Sequence, residues 1–342
     1  MTDKSETVQL AHGSGGSLMR RLIEEVIATE FSDVQLEDAA TLTFPEATGP
    51  ASELRLSFST DTFVVHPLFF PGGDIGHLAI CGTVNDVATA GAVPRYLSVG
   101  FVLEEGLPLD DLKRILRSMC EVAREANVKL VTGDTKVVGR GQADGIFINT
   151  TGVGAIRPGV KLSANSVQVG DKILLSGSLG DHGICIVSQR EGLKFGTDIT
   201  TDAAPLAELI SDVLDAAPHT RCFRDPTRGG LASTLNEIAD GSGVAMRVDE
   251  VSVPVHAQVQ GACEMLGYDV FQVANEGKMV AFVPAKEAEA ALAAMRANKY
   301  GAEAAIIGEV VEGTAGRVAL RTAFGASRIM DMLVGEQLPR IC

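Results

Sequence analysis

The chain has 342 residues, 46% of them hydrophobic, and a formal net charge of −15, which allows two domains with cores of their own and excludes a mainly disordered protein. No Lys/Arg cluster suited to a phosphate backbone stands against that acidic balance, so nucleic acid is excluded as a partner. No apolar run reaches the ~18 residues of a membrane span and the opening Met-Thr-Asp-Lys-Ser-Glu is no secretory signal, so the expectation is a cytoplasmic protein with no membrane partner.

In chain order, Leu54-Arg55-Leu56-Ser57-Phe58-Ser59 alternates with period two, which predicts a half-buried strand ending at Thr60-Asp61. Asp74 as N-cap and Gly91 as terminator predict a helix over 74–90, and Leu112, Ile115, Leu116, Met119 and Val122 recur at helical spacing over 109–126. Strands follow near 128–132 and 144–155. The turn-rich stretch from Arg157-Pro158-Gly159 to about Gly170 predicts a domain boundary. Beyond it we expect strands at 171–176, 244–249, 270–274, 278–283 and 303–311, and helices at 181–190, 203–215, 228–240, 284–298 and 324–333. The mixture lacks strict βαβα alternation and predicts an α+β fold: a first domain over 1–158, a second over 168–333, and a mobile tail over 334–342.

An anionic ligand such as a nucleotide needs a divalent cation or a patch of backbone N–H groups next to so acidic a chain. No P-loop is present. The glycines of His12-Gly13-Ser14-Gly15-Gly16-Ser17 precede a helical stretch and read either as a linker or as a lid over phosphates. Asp38, Asp61, Asp86 and Asp134 stand at strand ends or, for Asp86, between Val84 and Val87, where a carboxylate demands a cation or hydrogen bonds; together they suit an oxygen-rich Mg²⁺ site. Asn85 precedes Asp86, and Lys136 in Gly133-Asp134-Thr135-Lys136 suits phosphate contact or proton transfer. Asp225-Pro226-Thr227-Arg228-Gly229-Gly230 opens a helix, with Asp225 as cap and two glycines that suggest an anion close to the backbone. Glu276 falls at what reads as an exposed turn between strands. Of six cysteines, those at 81, 120, 185, 222 and 263 read as small buried hydrophobes; Cys342, the last residue, sits where burial is least expected.

Six segments taken together resemble the HypE family of [NiFe]-hydrogenase maturation factors. They are Leu-Glu-Asp-Ala-Ala (36–40), Ser-Thr-Asp-Thr-Phe through Gly-Asp-Ile-Gly (59–76), Thr-Val-Asn-Asp-Val (83–87), Val-Thr-Gly-Asp-Thr-Lys-Val-Val (131–138), Asp-Pro-Thr-Arg-Gly-Gly (225–230) and Pro-Arg-Ile-Cys (339–342). The wider superfamily includes aminoimidazole ribonucleotide synthetase, selenophosphate synthetase and thiamine-monophosphate kinase. The resemblance implies a homodimer that binds ATP and Mg²⁺, a carbamoyl group placed on Cys342 by HypF, its ATP-dependent dehydration to a thiocyanate, and delivery of cyanide to a HypC–HypD complex. It implies Cys342 as carrier, Lys136 and Glu276 in proton transfer, and Gly13, Gly15, Gly16, Asn85, Thr135, Thr227, Gly229 and Gly230 around ATP. Mg²⁺ then falls to Asp38, Asp61, Asp86 and Asp134. Two other readings are a superfamily kinase or synthetase acting on a diffusible substrate, and a scaffold that merely carries a modified cysteine.

Overall fold

Residues 16–22, 24, 40–44, 54–193, 199–335, 338 and 341–342 are described by a computed structural model. Its N-terminal half is organised around helix α2 (Ile75–Thr89), which starts where Asp74 Oδ1 accepts the N–H groups of Gly76 and His77 at 2.8 and 3.0 Å. Thirteen of its 15 residues are buried, so this is a helix apolar on all sides rather than an amphipathic one. Ile75, Leu78, Ile80 and Val84 are fully buried, and each contributes roughly 1.5–3 kcal/mol. A Cβ on Gly76 would lie 2.7 Å from the Ile115 carbonyl oxygen, so that glycine lets α2 approach helix α3 (Leu109–Glu125) closely.

The two helices pack with a five-stranded sheet of β1 (Ala40–Phe44), β2 (Leu54–Phe63), β5 (Ala92–Glu104), β6 (Lys129–Val138) and β7 (Ile146–Ile156), in the order β1-β2-β7-β5-β6. Only β5 and β6 run parallel, joined through α3. A short hairpin, β3 (Phe69–Phe70) with β4 (Gly73–Asp74), feeds α2. The edge strand β6 is exposed over nearly its whole length, Leu130, Val131 and Val137 included.

The second half forms a seven-stranded sheet, built from β8 (Lys172–Leu175), β9 (Cys222–Arg224), β10 (Ala245–Asp249), β11 (Val280–Val283), β12 (Ala305–Val311), β13 (Val318–Arg321) and β14 (Ser327–Ile329). Their order is β14-β13-β10-β12-β8-β11-β9, antiparallel except for β10–β13. The inner strand β11, next to the edge strand β9, is buried at every position, as a strand covered on both faces must be. Helices α4 (Asp181–Glu191), α5 (Ala207–Ala216), α6 (Gly230–Ser242), α7 (Ala257–Leu266) and α8 (Ala288–Ala297) complete it, and the short α1 (Ser17–Leu22) lies near it through Ser17 N–H to the Leu333 carbonyl. One continuous core runs from Phe63 and α2 into α4, α6, β11 and Ile341.

The α+β class is as the sequence predicts, and the local differences include the following. The run at 270–274 is a 3₁₀ turn (Val270–Gln272), because the Asp269 side chain caps it at the Phe271 N–H. The stretch 324–333 holds the three-residue strand β14 and no helix: Gly325, at φ +81°, reverses the chain and returns β14 against β13. Strand β5 escapes sequence reading because Pro94 and a bulge between Pro94 and Tyr96 break its alternation. Cys120, expected to be buried, is exposed on α3.

Candidate active site

The two halves are stitched at Asn85, on α2. Its amide nitrogen donates to the carbonyls of Ala204 (3.0 Å) and Glu276 (3.4 Å), and its oxygen accepts the Leu206 N–H at 2.7 Å. Every polar atom of this fully buried side chain is thereby used within the protein. The sequence expectation placed Asn85 on phosphate; the structure gives it a positioning job, because an amide buried between two domains must be satisfied by both.

Asn85 holds Glu276 from one side, and Asp202 Oδ1 accepts the Glu276 N–H at 3.0 Å from the other. Next to it, Gly277 is pressed so close to Asp202 that a Cβ would sit 1.6 Å from the Asp202 carbonyl oxygen. Asn275 is tied to Pro226 and Val273 by its amide nitrogen and accepts the Gly180 N–H at 2.7 Å. Glu276 is therefore no exposed hairpin residue. It is 3% exposed, and its Oε1 has no hydrogen-bond partner among the described residues. Burial pushes its carboxyl well above the ordinary range; Asp225, Asp61 and Asp202 push the same way, and Arg228 opposes them.

Asp61, late in β2, and Asp225, in the loop before α6, are likewise raised by burial. Arg228, exposed at the outer edge of the cluster, lowers Asp61 and faces Cys342, Asp61, Glu276 and Asp86. One guanidinium among several carboxyls cannot keep all of them ionised, so this cluster takes up and gives off protons together. Behind it Lys278 pairs with Asp202 at 3.2 Å, both side chains largely covered.

Into this cluster the structure places Cys342. The exposure expected of a last residue is not found: Ile341 and Leu338 are buried, and Cys342 packs against the core. Burial pushes its thiol up to about 12, Arg228 pulls down, and Glu276, Asp61 and Asp225 push further up. The docked thiol is protonated at neutral pH.

Other expected site residues lie elsewhere. Lys136 and Asp134 form an exposed ion pair of 2.7 Å on β6. Three strand spacings separate β6 from β2 in the sheet order, so Asp134 is about 14 Å or more from Asp61. Lys136 and Glu276 do not meet within one chain. Thr135 lines a groove with Val99, Phe101 and Met119 beside α3. Asp86 accepts a hydrogen bond from Ser59 Oγ at 2.8 Å, which fits a carboxylate that must be satisfied on a buried helix. Gly13, Gly15 and Asp38 lie outside the described residues; Gly16 packs against the Leu333 backbone. Thr227 and Gly229 shape the turn before α6, and Gly230 is required by the Phe271 and Val273 carbonyl oxygens, each 2.6 Å from where its Cβ would be. The two glycines are thus accounted for partly by packing rather than by an anion alone. Among the described residues no group of three or more His, Cys, Asp or Glu is arranged to hold a metal, and of the three described carboxylates expected around Mg²⁺ Asp134 stands apart from Asp61 by sheet order. Sequence reading did not assign Arg228, Asp202 or Asn275. The motif at 225–230 carried Arg228 in plain view, whereas Asp202 has no local signal at all.

Residues 36–156 match the AIR synthase related protein N-terminal domain and residues 168–321 its C-terminal domain. The chain is 53% identical over 342 residues to the carbamoyl dehydratase HypE of Azotobacter vinelandii, covering 99% of this chain and 98% of that protein. The chain belongs to the HypE family. Among solved structures, it resembles HypE in complex with ATP at 48% identity and a TM-score of 0.82, covering 98% of this chain and all of that one. It also resembles a chain of a HypE–HypF complex at 46% identity and a TM-score of 0.85, covering 91% of this chain and 99% of that one. No described helix is long and apolar enough to cross a membrane.

Proposed function

We propose that this chain is an ATP-dependent carbamoyl dehydratase that converts an S-carbamoyl group on Cys342 to a thiocyanate, as a cytoplasmic step of [NiFe]-hydrogenase maturation. The observation that carries the reading is the meeting of Cys342 with Glu276, a buried carboxyl whose Oε1 has no partner among the described residues. ATP supplies the phosphoryl group that turns the amide oxygen into a leaving group. The chain's own residues do the rest. Glu276, whose carboxyl is raised by burial, accepts a proton from the carbamoyl nitrogen. Arg228 offsets negative charge that builds at the carbon-bound oxygen, and the Asp61–Asp225 pair shares the released proton. Both nitrogen protons leave, the oxygen departs as phosphate, and S–C≡N remains.

A thiol held protonated is a poor nucleophile. Carbamoyl loading therefore takes place with the arm undocked, at HypF, and dehydration with it docked; a HypC–HypD complex takes the cyanide. ATP lies near the turn 227–230. Mg²⁺ belongs to the same reading, as the counterion an ATP tetra-anion needs beside a chain of net charge −15; no step above runs through it. A homodimer covers the exposed β6 edge with Leu130, Val131 and Val137, and Lys136 stands on the surface so covered, from which it reaches a site only across the interface.

Mass spectrometry of the C-terminal peptide tests the function. With HypF, carbamoyl phosphate and ATP, the wild type should gain a carbamoyl group that then loses one water, and only when this chain's ATP is present. Cys342→Ala should gain nothing. A carbamoylated Cys342→Ala chain, or water loss without ATP, would remove the reading.

A further inference from the structure

His182 plays no part in the steps above, yet it is fully buried and both ring nitrogens are engaged. It sits in the first turn of α4, with Nε2 2.6 Å from the Ile341 carbonyl oxygen and Nδ1 2.7 Å from Thr201 Oγ1. A carbonyl oxygen only accepts, so Nε2 carries the hydrogen. In the neutral ring Nδ1 is then bare and accepts the Thr201 hydroxyl hydrogen, while the same hydroxyl oxygen accepts the Ala203 N–H at 3.1 Å. Phe70 meets the ring edge-on, with centroids 5.8 Å apart, and fixes its plane.

Two further contacts act on the same segment. The Val64 N–H, just past β2, donates to the Cys342 main-chain oxygen at 3.1 Å. A Cβ on Gly183, beside His182, would lie 3.0 Å from Leu338 Cδ1 and 2.6 Å from Val273 Cγ1, so the glycine leaves room for Leu338. The hydrogen bonds of this grip fall on main-chain oxygens and not on the sulfur. They are available whether Cys342 is free, carbamoylated or cyanated.

We propose that His182 is the latch of the Cys342 arm: a positioning residue whose Nε2–H holds the Ile341 carbonyl and so sets how long the thiol stays beside Glu276. The latch deepens the carrier reading of Cys342 given above. Its test uses neither ATP nor a carbamoyl donor, so failure of the latch and failure of the dehydratase reading show separately.

The experiment is alkylation of the full chain by iodoacetamide, followed as modified Cys342 peptide, with the exposed Cys120 as internal reference. Alkylation proceeds through the undocked arm, and one buried neutral hydrogen bond changes that opening equilibrium by roughly tenfold. His182→Leu should therefore alkylate at Cys342 roughly tenfold faster than wild type. His182→Gln, whose amide nitrogen can donate from the same place, should stay within about twofold of it. Thr201→Val, which removes the hydroxyl that fixes the tautomer, should move in the direction of His182→Leu. A wild-type rate in His182→Leu overturns the latch. Equal acceleration in the Leu and Gln variants also overturns it, since that marks packing alone. If His182→Leu does not fold, the comparison of His182→Gln with Thr201→Val decides, and equal rates overturn the proposal.

Discussion

Replacing Glu276 by Gln separates catalysis from structure, because its two effects should have opposite signs. Gln keeps the volume and the backbone grip of Asn85 and Asp202 but cannot accept a proton at working pH. Loss of a positioned general base typically costs 10²–10⁴ in rate, or about 2.7–5.5 kcal/mol of barrier. Stability should move the other way. The folded carboxyl is raised above its unfolded value, so the native state binds more protons than the unfolded one, and stability is lost as pH climbs through the folded range. Each unit of such a shift is about 1.4 kcal/mol. Gln removes that penalty, so Glu276→Gln should melt at nearly the same temperature as wild type at pH 4, below the ordinary Glu range, and higher than it at pH 8, by about 2–4 °C per kcal/mol regained. The assays are single-turnover conversion of carbamoyl-Cys342, read by peptide mass, and circular-dichroism melts at the two pH values. Conversion within tenfold of wild type would refute the base assignment, and a lower melting temperature at pH 8 would refute the account of the buried carboxyl.

Three further outcomes are expected. Arg228→Gln removes the cation that lowers Asp61, Glu276 and Cys342, so the acidic limb of the conversion profile should move to higher pH by about one unit; an unmoved limb excludes Arg228 from the proton balance. Asn85→Ala leaves the Leu206 N–H and two carbonyls unpaired between the domains, which should cost about 2–4 kcal/mol in urea melts while the folded fraction keeps its ATP affinity within a fewfold; intact stability with lost ATP binding would return Asn85 to the phosphate. Gly277→Ala forces a methyl against the Asp202 backbone and should lower stability by about 1–3 kcal/mol and slow conversion, since Glu276 moves with it; unchanged melting and activity would contradict the packing described.

Much of this was written locally in the chain. Asp74 is a capping residue two and three positions before free N–H groups, and the helix starts there. Leu112, Ile115, Met119 and Val122 recur at the helical period, and α3 follows. The six motif segments were enough for the family, because chemistry-bearing residues sit in short runs that survive as runs. What the sequence could not determine was which of them meet. Lys136 and Asp134 looked like neighbours of Asp61, but sheet order puts them three strands away. Asn85 looked like a phosphate ligand until both of its ends were found bonded across the domain boundary. Asp202 carries no motif and enters only because Gly277 has no side chain to keep it out. Cys342, which as a last residue reads as solvent-exposed, is partly covered because His182 and Val64 bond its segment and Gly183 leaves room for Leu338 beside it. Periodicity and capping act over a few residues and are visible in order of sequence. Proton sharing, docking and strand order depend on contacts between residues tens to hundreds of positions apart, and only the folded chain brings those together.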